Sequence, residues 1–384
     1  MSRGNITRRS KQSWRIKFDL PSDGGDRQTR YVTVRGKYAD AQRELTKLLS
    51  AADNGMDIEP RKVTVADYMK AWLDGRHNLS PKTVERYKQL TERQIIPYLG
   101  STILQRLRPP TIQRWHETIL TSGGKDDRPL SPRTVGHAHR VLHRALQRAV
   151  EMEILARNVA SAISPPSLEP SEIEILDAGQ IAIVLESLKG HDIYSIAALA
   201  LATGMRRGEL LALQWTDCDL DAATLTVERA LEETRAGLRF KAPKTRHGLR
   251  TISLPDSAVQ VLRDHRLNQL ETRMALGLGR PESDALVFSK LDGTPMSPDN
   301  LSRDWVRICR SLKLPRVMFH ALRHTHASAL IAAGLDVVTI SRRLGHAKPT
   351  TTLTVYGHLF SKTDEVAADA IEAAMRTDKG TDRG

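Results

Sequence analysis

Phe319-His320-Ala321-Leu322-Arg323-His324-Thr325-His326 opens a stretch that runs through an apolar segment to Leu344-Gly345-His346, then to Thr350-Thr351-Thr352-Leu353-Thr354-Val355-Tyr356-Gly357-His358. His320 and Arg323 stand three apart, so on a helix they share one face. Ala327, Leu330 and Ile331 recur at helical spacing and bury the other side of that helix. Leu344-Gly345 has the form of a helix stop, and Tyr356 follows His346 by ten residues, beyond a β-branched, Thr-rich segment. The stretch therefore offers fixed and switchable positive donors with one phenol downstream. Such a set suits an anionic, phosphate-like reacting group attacked by a tyrosine oxygen.

His320-x-x-Arg323, Leu344-Gly345-His346 and Tyr356 resemble the C-terminal signature of the tyrosine recombinases, the phage-integrase family. Upstream, Ala202-Thr203-Gly204-Met205-Arg206-Arg207-Gly208-Glu209-Leu210 resembles that family's first-arginine box. Between the two, Pro243-Lys244-Thr245-Arg246-His247-Gly248-Leu249-Arg250-Thr251-Ile252 is similar to the hairpin that carries its lysine. A lone His-x-x-Arg is common; six matching positions in the right order are not. The resemblance is strong over residues 175–375 and looser in the earlier half.

The resemblance implies a site-specific DNA recombinase, an integrase that integrates or excises a mobile element such as a prophage. Its catalytic set would be Arg206, Lys244, His320, Arg323, His346 and Tyr356. Tyr356 would attack the scissile phosphate and form a covalent 3′-phosphotyrosine, which conserves the backbone's energy for rejoining. Arg206 and Arg323 would hold the non-bridging oxygens, because their planar forks match phosphoryl geometry. Lys244 would be the general acid to the leaving 5′-oxygen, and His320 would help accept the tyrosine proton. His346 would hydrogen-bond the phosphate, and Glu209 would orient an arginine or histidine. Positive side chains would do the electrostatic work, so neither metal nor cofactor is expected.

Each of these residues has a competitor. Arg207 adjoins Arg206, and the box spacing selects Arg206. Lys241 competes with Lys244, and the run Lys-Thr-x-x-x-x-Arg-Thr favours Lys244. His320 and His324, four apart, have a spacing that could hold zinc, yet no carboxylate or cysteine joins them. His324, His326 and His358 read as supporting or surface groups. Tyr98 and Tyr194 sit in apolar helical contexts and read as core.

The 384 residues carry a formal net charge of +13, with an isoelectric point near 9.9. An extended anionic partner, double-stranded DNA, is the first expectation. Cys218 and Cys309 lie among apolar or neutral neighbours and fit reduced thiols. The N-terminus lacks an apolar signal region, and the most apolar run, 193–202, is too short to span a bilayer. A soluble, cytoplasmic protein with no membrane contact is expected.

The predicted fold class is α+β, mostly helical, in three domains. Residues 1–58 resemble the arm-type DNA-binding domain of integrases and are expected to form one here; their first 50 residues hold 12 Lys and Arg against 5 Asp and Glu. There Trp14, Ile16, Phe18 and Leu20 alternate with charged residues as in a half-buried strand. Pro21 to Gly25 reads as a turn, Arg30 to Val34 as the returning strand, and Ala39 to Leu49 as a helix with Leu45, Leu48 and Leu49 inward. Arg15, Lys17 and Arg30 are its candidate DNA contacts.

Residues 62–164 form a helical core-binding domain. Ser80-Pro81 and Ser131-Pro132 each place a capping hydroxyl before a first-turn proline. The helix from Ser131 turns Val135, Ala138, Val141, Leu142, Ala145, Leu146 and Val150 inward and leaves a basic stripe, in which Arg133, Arg140 and Arg144 are the candidate phosphate contacts. Ser164 to Ser171, rich in proline, is the interdomain linker.

Residues 173–384 form the catalytic domain, in which the strand-like runs 224–227, 239–241 and 249–254 are expected to make one small antiparallel sheet. Val366, Ala367, Ala370, Ile371, Ala374 and Met375 form a last amphipathic stripe, a candidate for contact between subunits. The implied assembly is a homotetramer on two DNA sites, with an accessory excision protein or host DNA-bending protein as a further partner. Two rivals remain at this level: a type IB topoisomerase, and a catalytically silent DNA-binding regulator.

Overall fold

The computed structural model describes residues 4–19, 29–53, 63–76, 78–169, 174–243, 246–360 and 364–375. They fall into two compact units, Met1–Pro170 and Ser171–Gly384.

Side-chain alternation builds the first element of the first unit. Strands β1 (Gly4–Ser10), β2 (Ser13–Asp19) and β3 (Thr29–Arg35) form an antiparallel sheet in the order 1-2-3. Helix α1 (Tyr38–Asp53) packs on it. Ile16 and Phe18 are fully buried, each contributing about 1.5–3 kcal/mol. Strand β1 was not expected from sequence, and the expected turn at Pro21 to Gly25 lies outside the described residues.

A helical bundle follows: α2 (Val65–Asp74), α3 (Pro81–Leu90), α4 (Ile96–Leu99), α5 (Pro109–Ser122) and α6 (Pro132–Glu151). A π-helical turn, Thr91–Ile95, joins α3 to α4, and the Gln94 carbonyl accepts from Trp115 Nε1 at 2.7 Å. Ser131 caps α6 by accepting from the Thr134 amide; Ser80 instead pairs with the Thr83 hydroxyl and makes no such cap. Along α6, Val135, Ala138, Leu142, Ala145 and Leu146 are fully buried. Arg133, His137, Arg140, Arg144 and Arg148 stand exposed on its other face.

The second unit begins with α7 (Ala178–Leu188), α8 (Tyr194–Thr203) and the single turn α9 (Arg207–Leu210). Its strands are β4 (Cys218–Asp219), β5 (Thr224–Val227), β6 (Ala230–Thr234), β7 (Gly237–Lys241) and β8 (Arg250–Ser253). They form two sheets where one was expected. Residues 224–227 pair with 250–253, with Leu225 opposite Ile252, whereas 237–241 turn back on 230–234. The turn at Thr234–Gly237, with Gly237 at φ 117°, closes that second pair locally, so residues 239–241 never reach the first sheet.

Helices α10 (Asp256–Ala275), α11 (Pro298–Ser311), α12 (Ala321–Ala332), α13 (Val337–Leu344), α14 (Pro349–Tyr356) and α15 (Asp364–Met375) complete the unit. The main core gathers Trp215, Leu225, Ile252, Leu262, Trp305 and Phe319. A smaller cluster of Ala327, Ile331, Ile340 and Leu344 encloses Tyr356. Both cysteines are free. No helix among the described residues is long and apolar enough to cross a membrane.

Candidate active site

Arg206 sits where α8 ends and α9 begins, in an extended conformation at the cap. Its amide donates to Glu209 Oε2 at 3.0 Å and its Nη1 to Glu209 Oε1 at 2.7 Å, so the carboxylate one turn on steers both backbone and side chain. Nη2 donates to the Gly345 carbonyl at 3.2 Å. Glu209 accepts a second guanidinium from strand β8: Arg250 Nη2 donates to Oε2 at 2.8 Å. Arg250 is also held by the carbonyls of Arg343 (2.8 Å) and Gly248 (3.2 Å). Side-chain exposure separates the two arginines: 41% for Arg206 and 7% for Arg250. Arg206 can meet an incoming anion, and Arg250 can only brace. Burial pushes the Glu209 carboxyl up, but the hydrogen bond and charge of Arg250, with the charge of Arg206, outweigh it and hold it below the ordinary carboxylate range. Arg207 turns away, donating to Asp299 at 3.1 Å and to Ser302.

Arg323 enters from the first turn of α12 and is buried. Its Nη1 donates to the Gly204 carbonyl at 2.6 Å and its Nη2 to that of Leu344 at 2.7 Å. These are C-terminal ends of α8 and α13, where carbonyls lack helical partners and a cation is favoured. Burial, with the nearby charge of Arg206, draws its guanidinium down to about 9. Gly204 and Gly345 both have left-handed backbones, φ 64° and 68°. A Cβ on Gly204 would lie 2.6 Å from the His326 ring, and one on Gly345 2.8 Å from Arg250 Nη1. Behind this frame His326 Nδ1 donates to the Leu201 carbonyl at 2.7 Å, while its Nε2 accepts from Arg343 Nε at 3.1 Å. Those two bonds fix a neutral imidazole with its proton on Nδ1.

His320 caps α12, and its ring meets that of His324 edge-on, centroids 5.0 Å apart. His346 follows Gly345 directly, and its Nδ1 pairs with the hydroxyl of fully buried Thr352 at 2.8 Å. Burial lowers both imidazoles to about 4; His324, Arg323 and Arg206 add to this at His320, and Arg323, Arg206 and Arg250 at His346. Both are therefore neutral at pH 7.

Tyr356 ends α14 and is 2% exposed. Its hydroxyl lies 2.6 Å from Nδ1 of His324. Burial pushes the phenol up to about 12, with the charge of Arg323 pulling the other way.

Arg206, Glu209, His320, Arg323, His346 and Tyr356 thus lie in one cluster. Lys244 lies outside the described residues. Its competitor Lys241 is occupied in an ion pair with buried Glu232. Arg250 and Thr352 join the site without having been singled out, and only the fixed spacing of Arg250 from Lys244 hinted at the first; His324, read from sequence as a supporting or surface group, joins it beside Tyr356. Among the described residues no group of three or more His, Cys, Asp or Glu is placed to hold a metal.

The outlying basic residues divide. Arg133, Arg140 and Arg144 share one exposed face of α6, where Arg144 Nη1 donates to the Tyr87 hydroxyl at 3.0 Å. In the N-terminal sheet Arg15 and Lys17 lie opposite Thr33 and Tyr31, on the face away from Ile16 and Phe18. Arg15 lies over the Tyr31 ring at 4.9 Å. Arg30 pairs opposite Phe18 and so belongs to the other, helix-covered face, because one residue of register exchanges the two faces. Arg30 is itself exposed.

A mostly helical frame that carries one phenol beside a cluster of guanidiniums and imidazoles is the equipment of a tyrosine recombinase. Residues 174–363 match the phage integrase family, and residues 64–120 match the phage integrase N-terminal SAM-like domain. The chain is 27% identical to a XerC-like tyrosine recombinase of Caldanaerobacter subterraneus subsp. tengcongensis, over 96% of this chain and 97% of that one. Among solved structures it resembles the Tn1549 transposon integrase in complex with a circular intermediate DNA, with a TM-score of 0.68, 22% identity, and coverage of 81% of this chain and 99% of that one. It also resembles a lambda integrase tetramer bound to a Holliday junction, with a TM-score of 0.54, 16% identity, and coverage of 90% and 92%. The chain belongs to the phage integrase family of tyrosine recombinases. It is a site-specific DNA recombinase.

Proposed function

We propose that Tyr356 attacks one backbone phosphate of a DNA crossover site and holds the cut strand as a 3′-phosphotyrosine until a 5′-hydroxyl displaces it. Arg206 and Arg323 neutralise the non-bridging oxygens, His346 donates a hydrogen bond to the phosphate, and His320 helps accept the tyrosine proton. Glu209 aims Arg206, and Lys244 protonates the leaving 5′-oxygen. One observation carries this reading. Arg206 and Arg323, from distant parts of the sequence, donate to the two carbonyls just before His346, those of Gly345 and Leu344, and the phenol lies 2.6 Å from Nδ1 of His324, the residue after Arg323. Guanidiniums so fixed need no reorganisation when charge develops on the phosphate, which makes this kind of stabilisation large. A nicked duplex that traps the cleaved strand tests it: the parent chain accumulates a covalent adduct, and Tyr356→Phe does not. A Tyr356→Phe chain that still forms the adduct would show the nucleophile to lie elsewhere.

Three domains serve this chemistry in the proposal: residues 1–58 on arm-type sites, 62–164 on the core site and 173–384 on the scissile strand. The active assembly is a homotetramer on two duplexes, aided by an accessory excision or host DNA-bending protein, and it works in the cytoplasm. The lambda integrase tetramer supports the tetramer by likeness of fold. Helix α15 is the candidate contact between subunits: Ile371 and Met375 are 61% and 71% exposed. Deleting residues 364–384 is expected to abolish pairing of two duplexes and leave single-duplex binding intact. Unaltered pairing would remove that role.

A further inference from the structure

The phenol of Tyr356 meets an imidazole that the family's sequence boxes leave without a part. Its hydroxyl lies 2.6 Å from His324 Nδ1, with the rings 5.6 Å apart and inclined at 60°. Tyr356 is 2% exposed, so this bond is shielded from water, and removing the imidazole would leave a buried hydroxyl unpaired. His324 cannot easily swing away. It adjoins Arg323, which is bonded to the carbonyls of Gly204 and Leu344, and the His320 ring packs against it edge-on at 86°. The nucleophile and this imidazole therefore come from two different helices, α14 and α12, and meet at hydrogen-bonding distance before DNA arrives.

The geometry points to His324 as the direct proton acceptor for the nucleophile. As Tyr356 Oη forms its bond to phosphorus and the bond from phosphorus to the 5′-oxygen breaks, the phenolic proton passes to His324 Nδ1. The leaving 5′-oxygen takes its proton from the general acid. On rejoining, the attacking 5′-hydroxyl returns a proton to that acid, and the departing phenolate recovers its own from the imidazolium. The groups facing His324 are one charged, Arg323, and two titratable, His320 of its own helix region and the phenol of α14. Burial first, and then Arg323, hold the imidazole below the ordinary histidine range, so it is neutral and able to accept. A phosphodiester bound at Arg323 offsets that guanidinium and favours the imidazolium when it forms. His320, packed against His324, then acts through it.

This inference rests on Tyr356 being the nucleophile, and the test separates the two. His324→Asn keeps a hydrogen-bond acceptor near the position of Nδ1 but cannot hold a proton. Adduct formation on the nicked duplex is expected to slow by about 10²-fold in His324→Asn, the usual size of a general-base contribution. Replacing Tyr356 by a fluorinated tyrosine with a more acidic phenol should shrink that loss to within about 10-fold, because a more acidic phenol depends less on the base. A structural defect would cost the same with either phenol. The inference is overturned if His324→Asn forms adduct at the parental rate, or if its loss is unchanged by fluorination. An adduct that persists in Tyr356→Phe overturns the nucleophile assignment and this inference with it. Should His324→Asn not fold, as judged by its melting temperature, His324→Ala takes its place, and its loss is expected to shrink on fluorination in the same way.

Discussion

Glu209 accepts Arg206 on one oxygen and Arg250 on the other, and the second of these pairs is out of water on both sides. Desolvation of a buried pair offsets most of its attraction, so the benefit lies in direction more than in stability. Removing one partner is another matter, because it strands a charge. Arg250→Ala leaves Oε2 of Glu209 with only the Arg206 amide as donor and is expected to cost about 3–5 kcal/mol, and adding Glu209→Gln should recover part of it, since the buried charge short of a partner is then gone. Urea denaturation of the two single variants and the double variant measures the coupling; strictly additive losses would refute it. His326 gives a second prediction, in pH. Burial holds its pKa near 4 in the folded chain, against 6.5 for an ordinary histidine. Between those values the unfolded chain binds a proton that the folded chain refuses, so stability is full above pH 6.5 and declines toward pH 4. For this one buried group the loss is on the order of 3 kcal/mol. His326→Gln should lower the acid-side slope of unfolding free energy against pH by up to one proton, and an unchanged slope would mean that His326 does not titrate in this way.

Helix α14 shows why some elements were legible in the sequence and others were not. Its residues, Pro349-Thr350-Thr351-Thr352-Leu353-Thr354-Val355-Tyr356, are mostly β-branched and favour strands. Pro349 opens a helix in its first turn, and burial of Thr352 and Tyr356 at four-residue spacing overrides propensity. Helices α7, α11, α12 and α13 were readable because caps, first-turn prolines and apolar spacing are local signals. Strands β1 and β6, and the division into two sheets, were not, because pairing depends on partners that a strand's own residues do not name. The site divides in the same way. Arg206, His320, Arg323, His346 and Tyr356 carry recognisable boxes, whereas Arg250 and His324 show their parts only once distant segments meet. Thr352 belongs with these two, and it orients His346 from within α14. Thr352→Val keeps the shape and deletes the partner of Nδ1. Adduct formation should fall by about 10-fold or more, while stability changes by roughly 1 kcal/mol, the net size of one hydrogen bond. Parental cleavage in Thr352→Val would show that His346 needs no such support.

Across the molecule, positive charge concentrates in the first 50 residues and on one face of α6. Of the +13 net charge, the first 50 residues supply a surplus of 12 Lys and Arg over 5 Asp and Glu, and α6 presents another row of cations. Along α6, Arg133, Arg140 and Arg144 repeat at intervals that keep them on one face, and Arg144 is steadied by the Tyr87 hydroxyl and ring. A rigid row of guanidiniums suits phosphates at a regular spacing, which fixes register without reading sequence. Each phosphate contact releases counterions, so log K falls linearly with log salt, by about 0.9 per contact on duplex DNA. Changing Arg133, Arg140 and Arg144 together to Gln should therefore reduce that slope by about 2 to 3. It should also weaken specific and non-specific duplexes alike, since phosphates are common to both. Binding isotherms from 50 to 300 mM salt, ~ the range in which the slope is linear, measure both effects on one protein preparation. A slope unchanged in the triple variant would place α6 away from the duplex and leave the charge of the N-terminal sheet, with Arg15 and Lys17 on its open face, to account for affinity.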